Sequence, residues 1–355
     1  MEQRLIKESK RQSVGKITFL TPYYKEGRGN ATTAKRIVTG LNKNRVHTDV
    51  VAFDEQSIST DIVEKIERNP LLHILHFRRF SDWQEKNQFY FETPYVITSG
   101  GTDVNIDIFK EEHKEKIGRV LGNAAAITVF SHDSKQKLLS VYENLESKVH
   151  VIKQSVWLPE ISGIRPKEKV NLTDNGFNIV LPAGLRAVKD VLFVMPALIE
   201  LKQQFPKLTF TIVGSAIERS VLNEVIDVTK KYPWVSYYED VPFEEMSSIY
   251  EQSDVIINSS FSEGQSSALL EAMFFKKPVV ARNNGGNKSI IDHGRTGFLF
   301  ATLQQFYNQI KELVLHDELR QYVTKHASEY VMKEHHLEKE ITSYLHLYNK
   351  VLNYC

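Results

Sequence analysis

Short apolar runs alternate with stretches of helical spacing along this chain, and the alternation starts twice. Runs at 16–20, 48–53, 72–76, 95–99, 126–130 and 149–153 read as strands, with helices expected at 31–41, 114–121 and 134–142. A polar, turn-rich stretch at 163–175, GIRPKEKVNLTDN, interrupts the pattern and reads as a linker. The alternation then resumes with strands at 177–181, 208–213, 234–238, 255–258 and 278–281 and helices between them. Repeated strand–helix–strand units close into parallel sheets covered by helices. The expected fold class is therefore α/β, with two doubly wound, Rossmann-like domains, 1–165 and 166–335, facing a cleft. At 355 residues the chain is long for one domain and ordinary for two. Ligands of such folds sit at the carboxyl ends of the strands, here between the halves. The remaining segment, 336–355, carries one apolar stripe at helical spacing: Ile341, Tyr344, Leu345, Tyr348, Val351 and Leu352.

Composition removes several classes of function. Lys+Arg and Asp+Glu nearly cancel, at 45 and 44, so the basic excess of a nucleic-acid binder is missing. The one cysteine, Cys355, offers no intrachain disulfide framework, which suits a reducing compartment. The opening MEQRLIKESKRQSVGK lacks an apolar signal core, and no run reaches transmembrane length, so a cytoplasmic location is expected. Segment 110–119 interleaves Glu111, Glu112 and Glu115 with lysines and reads as a solvated helix face rather than a membrane-docking one. No Asp-x-Asp follows a strand and the histidines do not cluster at ligand spacing, so neither a metal nor another resident cofactor is expected.

The stretch 259–273, SSFSEGQSSALLEAM, is the most informative about chemistry. Val255, Ile256 and Ile257 form a buried strand before it, and Ala268, Leu269, Ala272 and Met273 follow at helical spacing. Glu263 is then expected on the turn and Glu271 about two turns into the helix. The free amides of Gln265, Ser266 and Ser267, at the positive end of the helix dipole, would cradle a diphosphate behind Gly264. A carboxylate on each side can accept hydrogen bonds from sugar hydroxyls, a geometry suited to a nucleotide sugar. The plain alternative is a strand–loop–helix unit with two solvated acids. After the strand at 177–181 comes PAGLRAVKD, where Gly184 precedes Arg186 and Lys189. Two cations at the cleft mouth can hold a diphosphate and stabilise the charge that grows as a sugar departs. A helix start with solvated cations is the alternative. Gly214, closing the 208–213 run, is placed with the donor-binding residues.

In the first half, TPYYKEGRGNATTAKR at 21–36 makes a loop flexible at Gly27 and Gly29, and Gly29 and Asn30 are taken as donor-binding. The loop lacks the third glycine of a dinucleotide fingerprint. In LHFRRF, His76 and Arg78 stand at a strand end as acceptor-side candidates, although His76 also fits a buried, satisfied histidine. In SGGTDVN at 99–105, Thr102 and Asp103 are acceptor-side candidates, with Asp103 equally readable as a cap before the next helix.

Glu263-Gly264 and Leu270-Glu271-Ala272-Met273, with seven residues between the glutamates, resemble the signature of retaining GT-B glycosyltransferases of the family called glycosyl transferases group 1 (family 4). GNATTAKR and SGGTD resemble the subgroup that includes the glycosyltransferase 1 domain-containing proteins and the bacterial selenosugar synthases. NNGGNKSIIDHGRTGFL at 283–299 is similar to the family's glycine run and turn. There are departures. Gln265 and Ser266 replace a usual aromatic and glycine, and Gly100 or Gly101 stands in place of a cleft histidine. Arg186 is three rather than five residues before Lys189, and Ser289 replaces a glutamate, leaving that segment a scaffolding role. The resemblance implies metal-independent, retaining transfer from a nucleotide sugar, a UDP-sugar, to an acceptor the sequence does not identify. Glu263 would hold donor-sugar hydroxyls, Glu271 the ribose, and Arg186 and Lys189 the leaving diphosphate. The last helix would cross back to the first domain. The rivals are a GT-B partner subunit that binds without transfer, a nucleotide-sugar epimerase and a glycoside phosphorylase.

Overall fold

The computed structural model describes residues 14–25, 29–158, 170, 172–173, 175–239, 241–242 and 245–354; Gly27 and most of the 163–175 stretch lie outside them. The first sheet is built from β1 (Lys16–Thr21), β2 (His47–Ala52), β3 (Leu72–Leu75), β4 (Tyr95–Ser99), β5 (Ala126–Val129) and β6 (Val149–Val151). The second contains β7 (Phe177–Pro182), β8 (Leu208–Val213), β9 (Val235–Tyr238), β10 (Val255–Asn258), β11 (Val279–Arg282) and β12 (Phe298–Phe300). Their orders are β2-β1-β3-β4-β5-β6 and β12-β11-β10-β7-β8-β9, and every pairing is parallel. Each sheet thus has the doubly wound α/β form expected from the alternation. β12 was not anticipated, being three residues long.

Side chains alternate between two cores in each half, as a strand's period of two requires. In the first sheet Leu20, Ile74 and Ile97 meet Phe80, Trp83 and Leu121, while Ile17, Phe19 and Val96 meet Ile37 and Leu41 on the other face. In the second, Ile179 and Ile257 join Leu198 and Ile310, and Val180 and Ile256 join Leu269, Met273 and Val331. With both faces covered, strands such as β10 are buried along their whole length.

Helix Asp317–Glu334 packs on the second domain, and helix Leu337–Tyr354 then returns to the first, where Ile341, Tyr344, Tyr348 and Val351 enter its core. Gly40 of helix Gly29–Lys43 permits this approach, since a Cβ there would lie 2.4 Å from Ile341 Cγ1. A buried ion pair joins the same helices: Arg36 Nε donates to Glu340 Oε2 at 2.9 Å and Nη2 to Oε1 at 3.0 Å. Ser155, beyond β6, adds its amide to Glu340 at 3.0 Å and its hydroxyl as a second donor. Among the described residues no helix is long and apolar enough to cross a membrane.

The strand order reverses between β1 and β3 in one sheet and between β7 and β10 in the other. At such switch points the following loops part and leave a crevice. The loops and helix starts after β1 and β3 carry Gly29, Asn30, His76 and Arg78, and the segments after β7 and β10 carry Arg186, Lys189 and Glu263. Topology thus puts these segments at the crevice edge of each domain, and all of these residues line one cleft.

Candidate functional site

A cleft of about 590 Å³ runs between the domains, a size suited to a small-molecule site. On its second-domain side, β10 ends at Asn258 and the chain turns through Ser259–Ser266 before helix Ser267–Phe274. Glu263 lies in this turn with its side chain 9% exposed. Its Oε1 accepts from Lys189 Nζ at 2.5 Å, Ser260 Oγ at 2.7 Å and Asn258 Nδ2 at 3.1 Å. Burial pushes the carboxyl up, but the Lys189 charge and these hydrogen bonds outweigh it and hold Glu263 below the usual carboxylate range.

The helix begins later than the sequence pattern suggests. Ser266 is its extended N-cap with no side-chain cap bond, so the uncapped first turn starts at Ser267 rather than Gln265. Gln265 instead works through its side chain, accepting from Gln154 N–H at 3.2 Å and donating to Ser289 Oγ at 3.0 Å. Ser289 thereby anchors the loop. Glu271 lies just over one turn into the helix, not two. Its Oε2 accepts from Tyr250 OH at 2.6 Å, and burial pushes its pKa up to about 7, with Tyr250 and the Arg36 charge opposing. The two acids are shifted oppositely, because Glu263 has a lysine beside it and Glu271 a phenol.

Arg186 precedes a 3-10 turn, Ala187–Lys189, after β7, and both cations line the cleft. Arg186 Nε is buried without a hydrogen-bond partner. Asp190 closes the turn in the left-handed region, φ 44°, and pairs with Arg282 at 2.6 Å. Gly184 and Gly214 pack against the same loop. Gly214 has φ 151°, and a Cβ there would lie 2.2 Å from the Ala183 carbonyl oxygen.

On the first-domain side, Gly29, Asn30, Thr102 and Asp103 line the cleft with His76 and Arg78. His76 is the N-cap of helix Phe77–Asn87 with φ 74°, and its Nδ1 is 3.4 Å from Asp103 Oδ2. Burial pushes its pKa down, against the pull of Asp103, so the ring is both buried and cleft-lining. Asp103 sits inside the short helix Thr102–Asn105 and is held by Ser99 Oγ at 2.5 Å and the Val104 amide at 3.0 Å. Arg78 pairs with Asp82 and with Asp107, the latter at 3.4 Å. Arg79, which the sequence did not single out, lines the cleft and is tied to Asp54 at 3.0 Å and Tyr23 OH at 3.1 Å.

The domains touch along one edge of the cleft. Asn105 Nδ2 donates to the Glu263 carbonyl at 2.8 Å, and Lys137 Nζ donates to Asn105 Oδ1 at 2.9 Å. A Cβ on Gly264 would lie 2.4 Å from the Gly100 carbonyl oxygen. Asn105, Asn258, Ser260, Tyr250 and Gln154 were not foreseen. Only the strand end at Asn258 and the serines of the motif carried any signal for them. Among the described residues no three His, Cys, Asp or Glu side chains group to hold a metal.

Residues 176–316 match the family described as Glycosyl transferases group 1. Over 331 residues, 89% of this chain and 92% of the relative, the sequence is 29% identical to glycosyltransferase 1 domain-containing protein 1 of Xenopus tropicalis. It is 30% identical over 292 residues to the UDP-N-acetylglucosamine–peptide N-acetylglucosaminyltransferase GtfA subunit of Streptococcus pneumoniae, covering 80% of this chain but 52% of that subunit. Anabaena HepE in complex with UDP-glucose has a TM-score of 0.78 at 16% identity, covering 94% of this chain and 99% of that one. Sucrose-phosphate synthase of Thermosynechococcus elongatus has a TM-score of 0.76 at 15% identity, covering 96% and 100%. The chain has the GT-B fold, and its second half carries a glycosyl transferases group 1 domain.

Proposed function

We propose that this chain is a retaining glycosyltransferase that moves a sugar from a UDP-sugar to an acceptor nucleophile without a metal ion. The observation that carries the reading is the Lys189–Glu263 pair at the uncapped start of helix Ser267–Phe274, with Glu271 one turn beyond. Lys189, Arg186 and the first-turn amides would hold the diphosphate, Glu271 the ribose and Glu263 the sugar. Lys189, Ser260 and Asn258 all reach Oε1 of Glu263, which leaves Oε2 for a sugar hydroxyl. In the transfer, the bond from C1 to the diphosphate oxygen breaks as the acceptor atom bonds to C1 on the same face. The acceptor proton passes to the departing phosphate oxygen. Charge growing on that oxygen meets Lys189, Arg186 and amides already in place, which is where the rate gain arises. The UDP choice is supported by the UDP-N-acetylglucosamine–peptide transferase relative and by the UDP-glucose complex of the HepE neighbour.

Calorimetric titration with UDP, UDP-glucose, UDP-N-acetylglucosamine and NAD tests the donor, and UDP release in EDTA tests transfer. UDP and a UDP-sugar should bind and NAD should not. Glu263→Gln should keep donor affinity and lose turnover. Binding of NAD alone, or strict dependence on Mg²⁺, would overturn the proposal. So would sugar conversion without an acceptor (an epimerase), a requirement for inorganic phosphate (a phosphorylase), or binding with no turnover against any acceptor (a partner subunit).

A further inference from the structure

After β6 the chain leaves the first domain, and Gln154 lies in this segment, 3% exposed and lining the cleft. Its main chain is fixed on both sides. The N–H donates to Gln265 Oε1 at 3.2 Å, and the carbonyl accepts from His335 Nδ1 at 2.6 Å. Burial lowers the His335 pKa to about 4, so the ring is neutral at pH 7 with its proton on the nitrogen facing that carbonyl. The side chain is different: Nε2 is buried and has no hydrogen-bond partner among the described residues.

Buried amide N–H groups in folded proteins nearly always find an acceptor, so an orphan in a cleft wall points to what fills the cleft. Gln154 touches Gln265, two residues before the first turn of helix Ser267–Phe274. Arg186 Nε, across the same cleft, is likewise a buried donor without an acceptor. Two unanswered donors call for a ligand rich in acceptors, and phosphate oxygens accept without donating. We infer that Gln154 is a donor-binding residue whose side-chain amide donates a hydrogen bond to an oxygen of the bound nucleoside diphosphate. The inference rests on the donor site proposed above and extends it to the segment between the domains. A bound donor then touches the first domain, the second and the chain that joins them.

The test is Gln154→Leu, which keeps the side-chain bulk and the main-chain bonds while removing the donor. UDP is titrated calorimetrically, and the melting temperature is measured with and without UDP. The dissociation constant for UDP should rise about tenfold, the loss of one hydrogen bond to a charged group, and the UDP-induced rise in melting temperature should shrink. The ligand-free melting temperature should not fall, because the group removed was unsatisfied. A packing residue would behave oppositely, losing ligand-free stability while keeping UDP affinity, and that result overturns the inference. Gln154→Met provides the same comparison if the leucine variant does not fold. If the unmodified protein binds UDP and the variant binds it equally well, this inference falls and the donor site stands. If the unmodified protein binds no UDP, both fall.

Discussion

At Glu271, burial and ligand binding oppose each other, and the consequence is measurable. The carboxyl is 6% exposed, with Tyr250 OH donating to it at 2.6 Å. Burial raises its pKa from 4.5 to about 7. In the unfolded chain the proton leaves near the ordinary value, whereas in the folded protein it stays until about pH 7. Between those limits folding takes up a proton, so stability falls as pH rises, by about 1.4 kcal/mol for each pH unit. The cost is absent below about pH 4.5 and reaches about 3 kcal/mol above pH 7. Glu271→Gln removes the titration and keeps an oxygen for Tyr250. Urea unfolding followed by circular dichroism should show the variant nearly equal to the parent near pH 4 and more stable by about 3 kcal/mol at pH 8. A difference that does not change with pH, or a parent that gains on the variant as pH rises, would refute the reasoning. Donor binding supplies a second readout. Ribose hydroxyls donate to the ionised carboxylate, so UDP binding near pH 6 should release a proton, seen as a dependence of binding heat on the buffer's ionisation enthalpy. Glu271→Gln should abolish that dependence.

Gly264→Ala places a Cβ 2.4 Å from the Gly100 carbonyl oxygen, so the donor loop must withdraw from the first domain. Turnover should fall by about 100-fold, the scale of an ångström-sized misplacement, with an unchanged circular dichroism spectrum; retained activity would mean the seam is dispensable. Glu340→Ala strips the partner from Arg36 in a pair that is 1% exposed on both sides and should destabilise by about 3–5 kcal/mol in urea unfolding. The apolar double variant Arg36→Met/Glu340→Leu should recover most of that loss, and equal losses in both would show that the cavity rather than the orphaned charge dominates.

The parallel strands were legible because both of their faces are buried, which leaves uninterrupted runs such as Val255–Asn258 in the sequence. Phe298–Phe300 was not, because three apolar residues have no period to read. The start of the donor helix slipped because Gln265, Ser266 and Ser267 are three polar residues in a row. Ser266 wins as N-cap by taking φ −80°, ψ 112°, and this frees the Gln265 side chain to reach Gln154. The positions of Arg186, Lys189, Glu263 and Glu271 around one cleft followed from strand ends and topology. Their pairing did not. Lys189 and Glu263 are 74 residues apart and had separate roles in the sequence reading, yet they meet at 2.5 Å. Tyr250 and Asn105 act through contacts that no local pattern encodes.

The charge arrangement bears on how a nearly neutral protein could hold the proposed diphosphate. On the first-domain side Arg78, Arg79 and His76 face Asp82 and Asp107, Asp54, and Asp103. On the second-domain side Lys189 faces Glu263, while Arg186 has no ion-pair partner among the described residues. The cleft is therefore not a broad positive field but a set of compensated pairs with one uncommitted guanidinium. Glu271 refines this balance: with its pKa near 7 it is largely protonated below neutrality and adds little negative charge, and on the proposed reading ribose hydroxyls would favour its ionised form. Glu263, with three donors on one oxygen and the Lys189 charge beside it, is held below the usual carboxylate range and so is ionised at neutral pH. On the proposed reading, Glu263 would offer the sugar a standing acceptor, and Glu271 would become one as the nucleotide arrives. The proposed diphosphate would then enter where repulsion is least, beside the uncommitted Arg186 guanidinium.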